Sequence, residues 1–213
     1  MEILSYLIQL FLHLDEYLDA VISQYGLWTY GILFAVIFVE TGLVVMPFLP
    51  GDSLLFASGA FAALGSLNIW TLAGLMMVAA VLGDAVNYSI GHYLGERAYN
   101  VKWFKREHLE KTRAFFEKHG GKAIFLARFV PIVRTFAPFV AGIGKMSYAY
   151  FAAYNVVGGI TWVATFSLLG YFFGNIPFVQ KNFELVIIAI ILVSVVPMFV
   201  EWRKARRETK PTA

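Results

Sequence analysis

An all-α polytopic membrane fold is what this sequence predicts, and three observations carry the expectation. Of 213 residues, 59% are hydrophobic and only 15% charged, too apolar a mixture for a water-soluble domain of that size. Two segments, Leu67 to Leu94 and Ser147 to Phe173, stay apolar for longer than the ~20 residues a helix needs to cross a bilayer. The basic residues are also concentrated: thirteen of the 17 Lys and Arg fall in two stretches, eight from Glu96 to Lys122 and five from Glu201 to Lys210. By the positive-inside rule both stretches face the cytoplasm.

The elements follow in chain order. Residues 1–26 interleave apolar positions with His13, Asp15, Glu16 and Asp19, the pattern of an interfacial helix rather than a span. With neither Lys nor Arg, this segment lacks the basic region of a secretory signal, so it is expected to remain on the protein, outside the cell. Residues 27–66 are apolar but interrupted by "ETGLVVMPFLPGD", where Pro47, Pro50 and Gly51 break any helix. The arm that follows, Ser53 to Leu64, is too short to cross, which predicts a re-entrant hairpin entering from the outside. Residues 67–95 form the first span. Residues 96–121 mix Trp103, Phe104, Leu109, Phe115 and Phe116 with charge, as an amphipathic helix on anionic headgroups does, although a basic loop that only sets topology fits equally well.

In residues 122–146, only the ten from Gly121 to Val130 precede Pro131, about 15 Å of helix against a core of about 30 Å. Lys122 and Lys145 bound this stretch, so it reads as a second hairpin, broken at Pro131 and Pro138 and entering from the cytoplasm. Residues 147–174 are the second span and 183–202 a third, followed by the basic tail 203–213. The whole forms one domain, an inverted repeat of two opposed re-entrant helical hairpins with about three spans and amphipathic interfacial helices.

The first hairpin carries Glu40 and Asp52, the second Arg128 and Arg134, each pair flanking a break. On insertion scales one charge at the bilayer centre costs ~2.5–3.5 kcal/mol, so the acids and bases are expected to meet near the midplane and offset each other. They serve either as a functional site or as a clasp between the hairpins. Gly83, Asn87, Gly91 and Gly95 recur every four residues and form a small-residue stripe for close helix packing. Asp84, Tyr88 and His92 lie on the adjacent stripe, and an intramembrane Asp needs a partner. The chain has no cysteine, its four histidines lack metal-ligand spacing, and no hydrolase, metalloprotease or P-loop motif is present, so no enzyme, metal or cofactor is expected. Membrane-adjacent basic residues argue against nucleic acid as a partner.

Three blocks, "ETGLVVMPFLPGDSLL", "GDAVNYSIGHYLG" and "FLARFVPIVRTFAPFVAGIGKM", resemble the signature blocks of the bacterial DedA family, part of the wider class of SNARE-associated, or VTT-domain, membrane proteins. The resemblance runs from about Trp28 to the last span. It implies a transporter in the bacterial cytoplasmic membrane that moves a phosphate-bearing lipid, foremost undecaprenyl phosphate, in dependence on the proton motive force. A general phospholipid scramblase or a non-transporting assembly scaffold is the alternative. The family's essential acids match Glu40 and Asp52, and its essential arginines match Arg128 and Arg134. Independently, an arginine offers phosphate a planar fork of donors, and a carboxylate can exchange protons. Asp84 is the next candidate to carry the proton. Which lipid, whether H⁺ or Na⁺ is coupled, and the oligomeric state are left open by the sequence.

The topology is testable because the chain is cysteine-free. Cysteines introduced at Ser66 and Asn182 should react with an impermeant thiol reagent added outside, whereas one at Thr112 should not; external labelling at Thr112 reverses the orientation.

Overall fold

The computed structural model describes residues 14–43, 51–94 and 120–190, with 184 and 187 excepted. Among these, every regular element is helical: α1 (Leu14–Tyr25), α2 (Trp28–Gly42), α3 (Gly51–Ala63), α4 (Ile69–Leu94), α5 (Lys122–Ala127), α6 (Pro131–Ile143), α7 (Tyr148–Phe173) and α8 (Pro177–Lys181). Pro47, Pro50, Gly95, the amphipathic stretch from 96 to 119, most of the third expected span and the basic tail lie outside the described residues.

Helices α4 and α7 have 26 residues each, roughly 39 Å at 1.5 Å per residue, and they are long and apolar enough to cross a membrane. Hydroxyls within the helices are turned back onto their own backbone. Ser89 donates to the Ala85 carbonyl at 2.7 Å, Thr161 to Val157 at 2.8 Å and Thr165 to Thr161 at 2.7 Å. That removes the cost of an unsatisfied donor in hydrocarbon. The outward face of α4 is apolar along its length, with Leu75, Val78, Leu82, Val86 and Ile90 all exposed. So continuous an apolar face suits lipid and not water. Trp70 and Tyr93, 80% and 82% exposed, stand near its two ends like the aromatic belts of membrane interfaces.

The four shorter helices between α1 and α8 pair with the two long ones in a crossed arrangement. Helix α2 lies beside α4 in the same direction, with the Tyr30 hydroxyl accepting from the Asn68 amide near one end and Gly42 against Gly83 further along. Helix α5 lies beside α7 in the same way, Gly121 under Tyr154 and Arg128 beside Gly158. The following arms change sides. Helix α3 runs along α7, from Asp52 at Trp162 to Ala63, whose carbonyl accepts from Asn175, and α6 runs along α4, from Thr135 at Asn87 to Gly142 at Gly91. Each long helix therefore supports one arm from each broken pair.

Glycine makes the crossed contacts close. A Cβ on Gly59 would run into the Ser167 carbonyl and one on Gly170 into that of Phe56, which fixes α3 on α7; one on Gly91 would strike Phe139 and one on Gly142 Tyr88, which fixes α6 on α4. Two hydrophobic clusters result. The first holds Leu33, Ile37, Leu55, Leu72, Met76 and Trp162; the second holds Tyr88, Ile124, Phe139, Val140 and Phe151.

The break between α5 and α6 falls where expected. Val130 is extended (φ −121°, ψ 104°) because the ring of Pro131 disfavours helical geometry in the residue before it, and Pro131 then opens α6. Pro138 corrects the sequence reading: it lies inside α6 and does not break it. Its ring removes only the bond its missing N–H would make to the Arg134 carbonyl, and the close seating on α4 carries the helix across that gap.

Substituting Gly91 by Leu forces α6 off α4 and should destabilise the protein by about 1–3 kcal/mol, seen as a lower unfolding temperature in detergent. Gly74, where an added Cβ would meet nothing within 4 Å, should accept Ala without loss. Equal unfolding temperatures for Gly91→Leu and wild type would show that the α4–α6 contact is not this close.

Candidate functional site

Five ionisable side chains converge between the two hydrophobic clusters. Glu40 lies in the last turn of α2 and Asp52 in the first turn of α3, so the broken pair brings both acids to its own tip. Asp52 also gains from the positive end of the α3 dipole. Gly51 lets the two ends meet: its amide donates to Glu40 Oε1 at 3.3 Å, and any Cβ there would overlap the Glu40 carboxylate. Arg134, in the first turns of α6, spends its fork on these acids, with Nη2 to Glu40 Oε1 at 2.6 Å and Nη1 to Asp52 Oδ1 at 2.7 Å. Glu40 and Arg134 are 1% and 3% exposed, Asp52 12%.

Arg128 occupies the turn after α5, and its acid is a different one. Its Nη2 donates to Asp84 Oδ2 on α4 at 2.5 Å, to Asn155 Oδ1 on α7 and to the Ala80 carbonyl at 3.4 Å. Gly158 and Gly159 leave room for it, since a Cβ on either would come within 3.2–3.4 Å of the arginine side chain. Asn155 returns its amide to the Val81 carbonyl at 3.0 Å, and Asn87 staples the Thr41 carbonyl of α2 (3.0 Å) to the Thr135 carbonyl of α6 (2.8 Å). The Thr41 carbonyl is one of those a helix end leaves without an intrahelical partner, so Asn87 satisfies part of a chain break deep in the protein. Trp162 presents its ring to both arginines, its centroid 4.5 Å from Arg134 Cζ and 6.0 Å from Arg128 Cζ.

Chemically, the cluster joins anion donors to proton acceptors. Three acids and two arginines sum to −1 when all are ionised. Several buried atoms have no hydrogen-bond partner: Arg128 Nε and Nη1, Arg134 Nε, Glu40 Oε2 and Asp84 Oδ1. Leaving donors of a buried guanidinium unused is costly, so their presence here marks capacity for an anion. Among the described residues no group of three His, Cys, Asp or Glu is placed to hold a metal ion.

Comparisons with known proteins give the family. The VTT domain family matches residues 49–172. Protein DedA of Escherichia coli (strain K12) is 55% identical over 212 residues, 97% of each chain. This chain belongs to the DedA family. The inner membrane protein YqjA of the same strain is 34% identical over 199 residues, covering 92% of this chain and 90% of that one. An uncharacterized membrane protein of Mycobacterium leprae is 44% identical over 179 residues, 82% and 80% of the two chains. No solved structure matches. The chain is thus a membrane protein of the DedA family, and its charge cluster falls within the VTT match apart from Glu40.

Of the residues singled out in the sequence, Glu40, Asp52 and Arg134 come together, and Arg128 joins Asp84 instead of a hairpin acid. Gly83 and Gly91 pack α4 on α2 and α6. Tyr88 and His92 do not reach the cluster; the Tyr88 hydroxyl donates to the Met146 carbonyl, and its ring stacks 4.4 Å from Phe151 and 5.9 Å from His92. The sequence pattern does not single out Asn155 or Trp162, and it offers Asn87 for packing alone. A polar amide inside an apolar span was the available signal for both asparagines; for Trp162 the signal was a tryptophan far from either end of its span.

Removing Arg134 leaves the buried Glu40 carboxylate and the part-buried Asp52 carboxylate uncompensated. Arg134→Met should cost about 3–5 kcal/mol in detergent unfolding, and adding Glu40→Gln and Asp52→Asn should recover most of it. A single variant as stable as wild type would mean that the ion pairs contribute nothing to the fold.

Proposed function

We propose that this DedA-family protein is a proton-linked transporter of a phosphate-bearing lipid, with undecaprenyl phosphate as the foremost substrate, and not an enzyme. The observation that carries the reading is Arg128, a fully buried guanidinium midway along α4 and α7 with two donor atoms unengaged. Asp84, its partner, lies about 22 Å from the start of α4 and about 15 Å from its end. A fixed positive fork at that depth suits a phosphate crossing the bilayer, because the headgroup is what hydrocarbon rejects.

On this reading α2–α3 and α5–α6 are re-entrant hairpins from opposite sides, and the C-terminus is cytoplasmic. The support is the direction of packing. Helix α2 descends beside α4, α3 returns beside α7, and both meet the charge layer at their shared tip; α5 and α6 repeat this from the other end. A non-helical break such as that at Val130 is tolerated at depth where it lies against protein and polar partners.

Proton linkage follows from competition. In the state described, Glu40 and Asp52 occupy both terminal nitrogens of Arg134. A phosphate monoanion added to a cluster of net charge −1 would raise the excess to −2, which favours uptake of a proton as the lipid binds. Protonation of an acid weakens its hold on Arg134 and frees donors for phosphate, so proton and phosphate binding support each other. The exposed apolar faces of α4 and α7 leave the isoprenoid tail in the bilayer while the headgroup moves.

The experiment is gradient-driven movement of tail-labelled undecaprenyl phosphate in proteoliposomes, beside labelled phosphatidylglycerol. Wild type should move the polyprenyl phosphate in response to a pH gradient; equal, gradient-independent movement of both lipids would make it a scramblase. Arg128→Lys keeps the charge but loses the fork and should cut transport at least about tenfold with the protein folded. Glu40→Gln should leave exchange but abolish the response to the gradient. A wild type that moves neither lipid overturns the reading.

A further inference from the structure

We infer that Trp162 is a positioning residue for phosphate recognition, holding Arg134 and Asp52 in register through its indole N–H and its ring face; the inference rests on the transport reading above. Trp162 is wholly buried in α7, and four separate contacts define its place. Its Nε1 donates to Asp52 Oδ1 at 2.7 Å, the same oxygen that accepts from Arg134 Nη1 at 2.7 Å. Its ring presents to the Arg134 guanidinium at 4.5 Å and, more distantly, to Arg128 at 6.0 Å. The ring also packs in the apolar cluster, with Phe166 edge-on at 6.4 Å.

A tryptophan kept only for its volume needs no polar partner, and its N–H would be a burden in that cluster. Here the N–H is aimed at a carboxylate and the face at a cation. These contacts also differ from the ion pairs in what turns them off. Glu40 and Asp52 release Arg134 when they gain a proton or when phosphate takes its donors. The ring is neutral in every state, so its attraction for the guanidinium persists when the carboxylates let go. Trp162 thereby keeps the plane of Arg134 oriented in the interval when a freed guanidinium would otherwise swing toward the nearest remaining anion, Asp84 or Glu40.

The role acts through Arg134, and a double-mutant cycle reads that directly. Half-saturating concentrations of tail-labelled undecaprenyl phosphate are measured in proteoliposomes for wild type, Trp162→Phe, Trp162→Leu, Arg134→Lys and Trp162→Leu with Arg134→Lys, with unfolding temperatures recorded alongside. Trp162→Leu loses ring and N–H and should raise the half-saturating concentration about tenfold; Trp162→Phe keeps a ring and should raise it less. Once Trp162 is Leu, Arg134→Lys should cost little more. Additive losses, or folded Trp162 variants with wild-type half-saturation, overturn the inference while the transport reading stands. Should Trp162→Leu fail to fold, Trp162→Phe and Trp162→Tyr carry the same cycle. Absence of transport in wild type overturns the transport reading and this inference with it.

Discussion

Arg134 is the constraint on which the rest of this structure depends. One guanidinium reaches the C-terminal end of α2, the N-terminal end of α3 and the buried tryptophan of α7, while its own helix is seated on α4. Without it, two carboxylates would sit together uncompensated inside the protein, at a cost of several kcal/mol. The dependence is mutual. A broken helix pair ends in backbone groups that hydrocarbon cannot satisfy, and the charge layer supplies the partners: Glu40 accepts from the Gly51 amide, and Asn87 serves the Thr41 carbonyl. The tips need the polar layer, and the layer needs the tips to deliver its acids.

Geometry allows this because the small residues lie where helices cross. Gly59 and Gly170 bring α3 onto α7, Gly91 and Gly142 bring α6 onto α4, and Gly83 admits Thr41 of α2. Close approach in a membrane relies on packing and hydrogen bonds, since burial from lipid supplies little hydrophobic drive. The same approach sets the charge distances. Were α3 displaced outward by a single Cβ at Gly51, the Glu40 carboxylate would lose its seat and Arg134 one of its two partners. Packing and electrostatics are therefore one problem here, solved by glycine at the crossings and arginine at the centre.

Much of this was legible in one dimension. The two long helices follow from length and apolar composition, and the break before Pro131 from the stereochemistry of the preceding residue. That Glu40, Asp52, Arg128 and Arg134 belong together follows from the cost of leaving any of them alone. The allocation was not legible. Periodicity places Asp84 on a face of α4, but which cation that face meets depends on how the helices are rotated against each other, and the answer is Arg128. Asn87 fits a stripe of small residues equally well as spacer or staple. Pro138 reads as a break because the missing hydrogen bond is visible in sequence, whereas the packing that tolerates it is not. Trp162 hides among apolar residues, since nothing in its neighbours signals that the N–H donates to a carboxylate.

The two arginines differ in what the fold has done with their donors, and on the transport reading proposed above the difference bears on how such a site would avoid a leak. Arg134 has both terminal nitrogens engaged by acids, so its availability to an anion depends on those acids. Arg128 directs a single nitrogen to Asp84, Asn155 and Ala80 and keeps Nε and Nη1 unengaged. If both arginines were open, anions would gain a charge-compensated place inside the protein irrespective of the proton. If both were held, an arriving phosphate would find no donor. On that reading, one open and one acid-held guanidinium would let a headgroup be met by the first and secured by the second only after the acids change state. The asymmetry arises from placement: Arg134 stands in α6 against the tip of α2 and α3, and Arg128 in the preceding turn beside α4 and α7, so the break at Val130 and Pro131 that interrupts the helix is also what separates their roles.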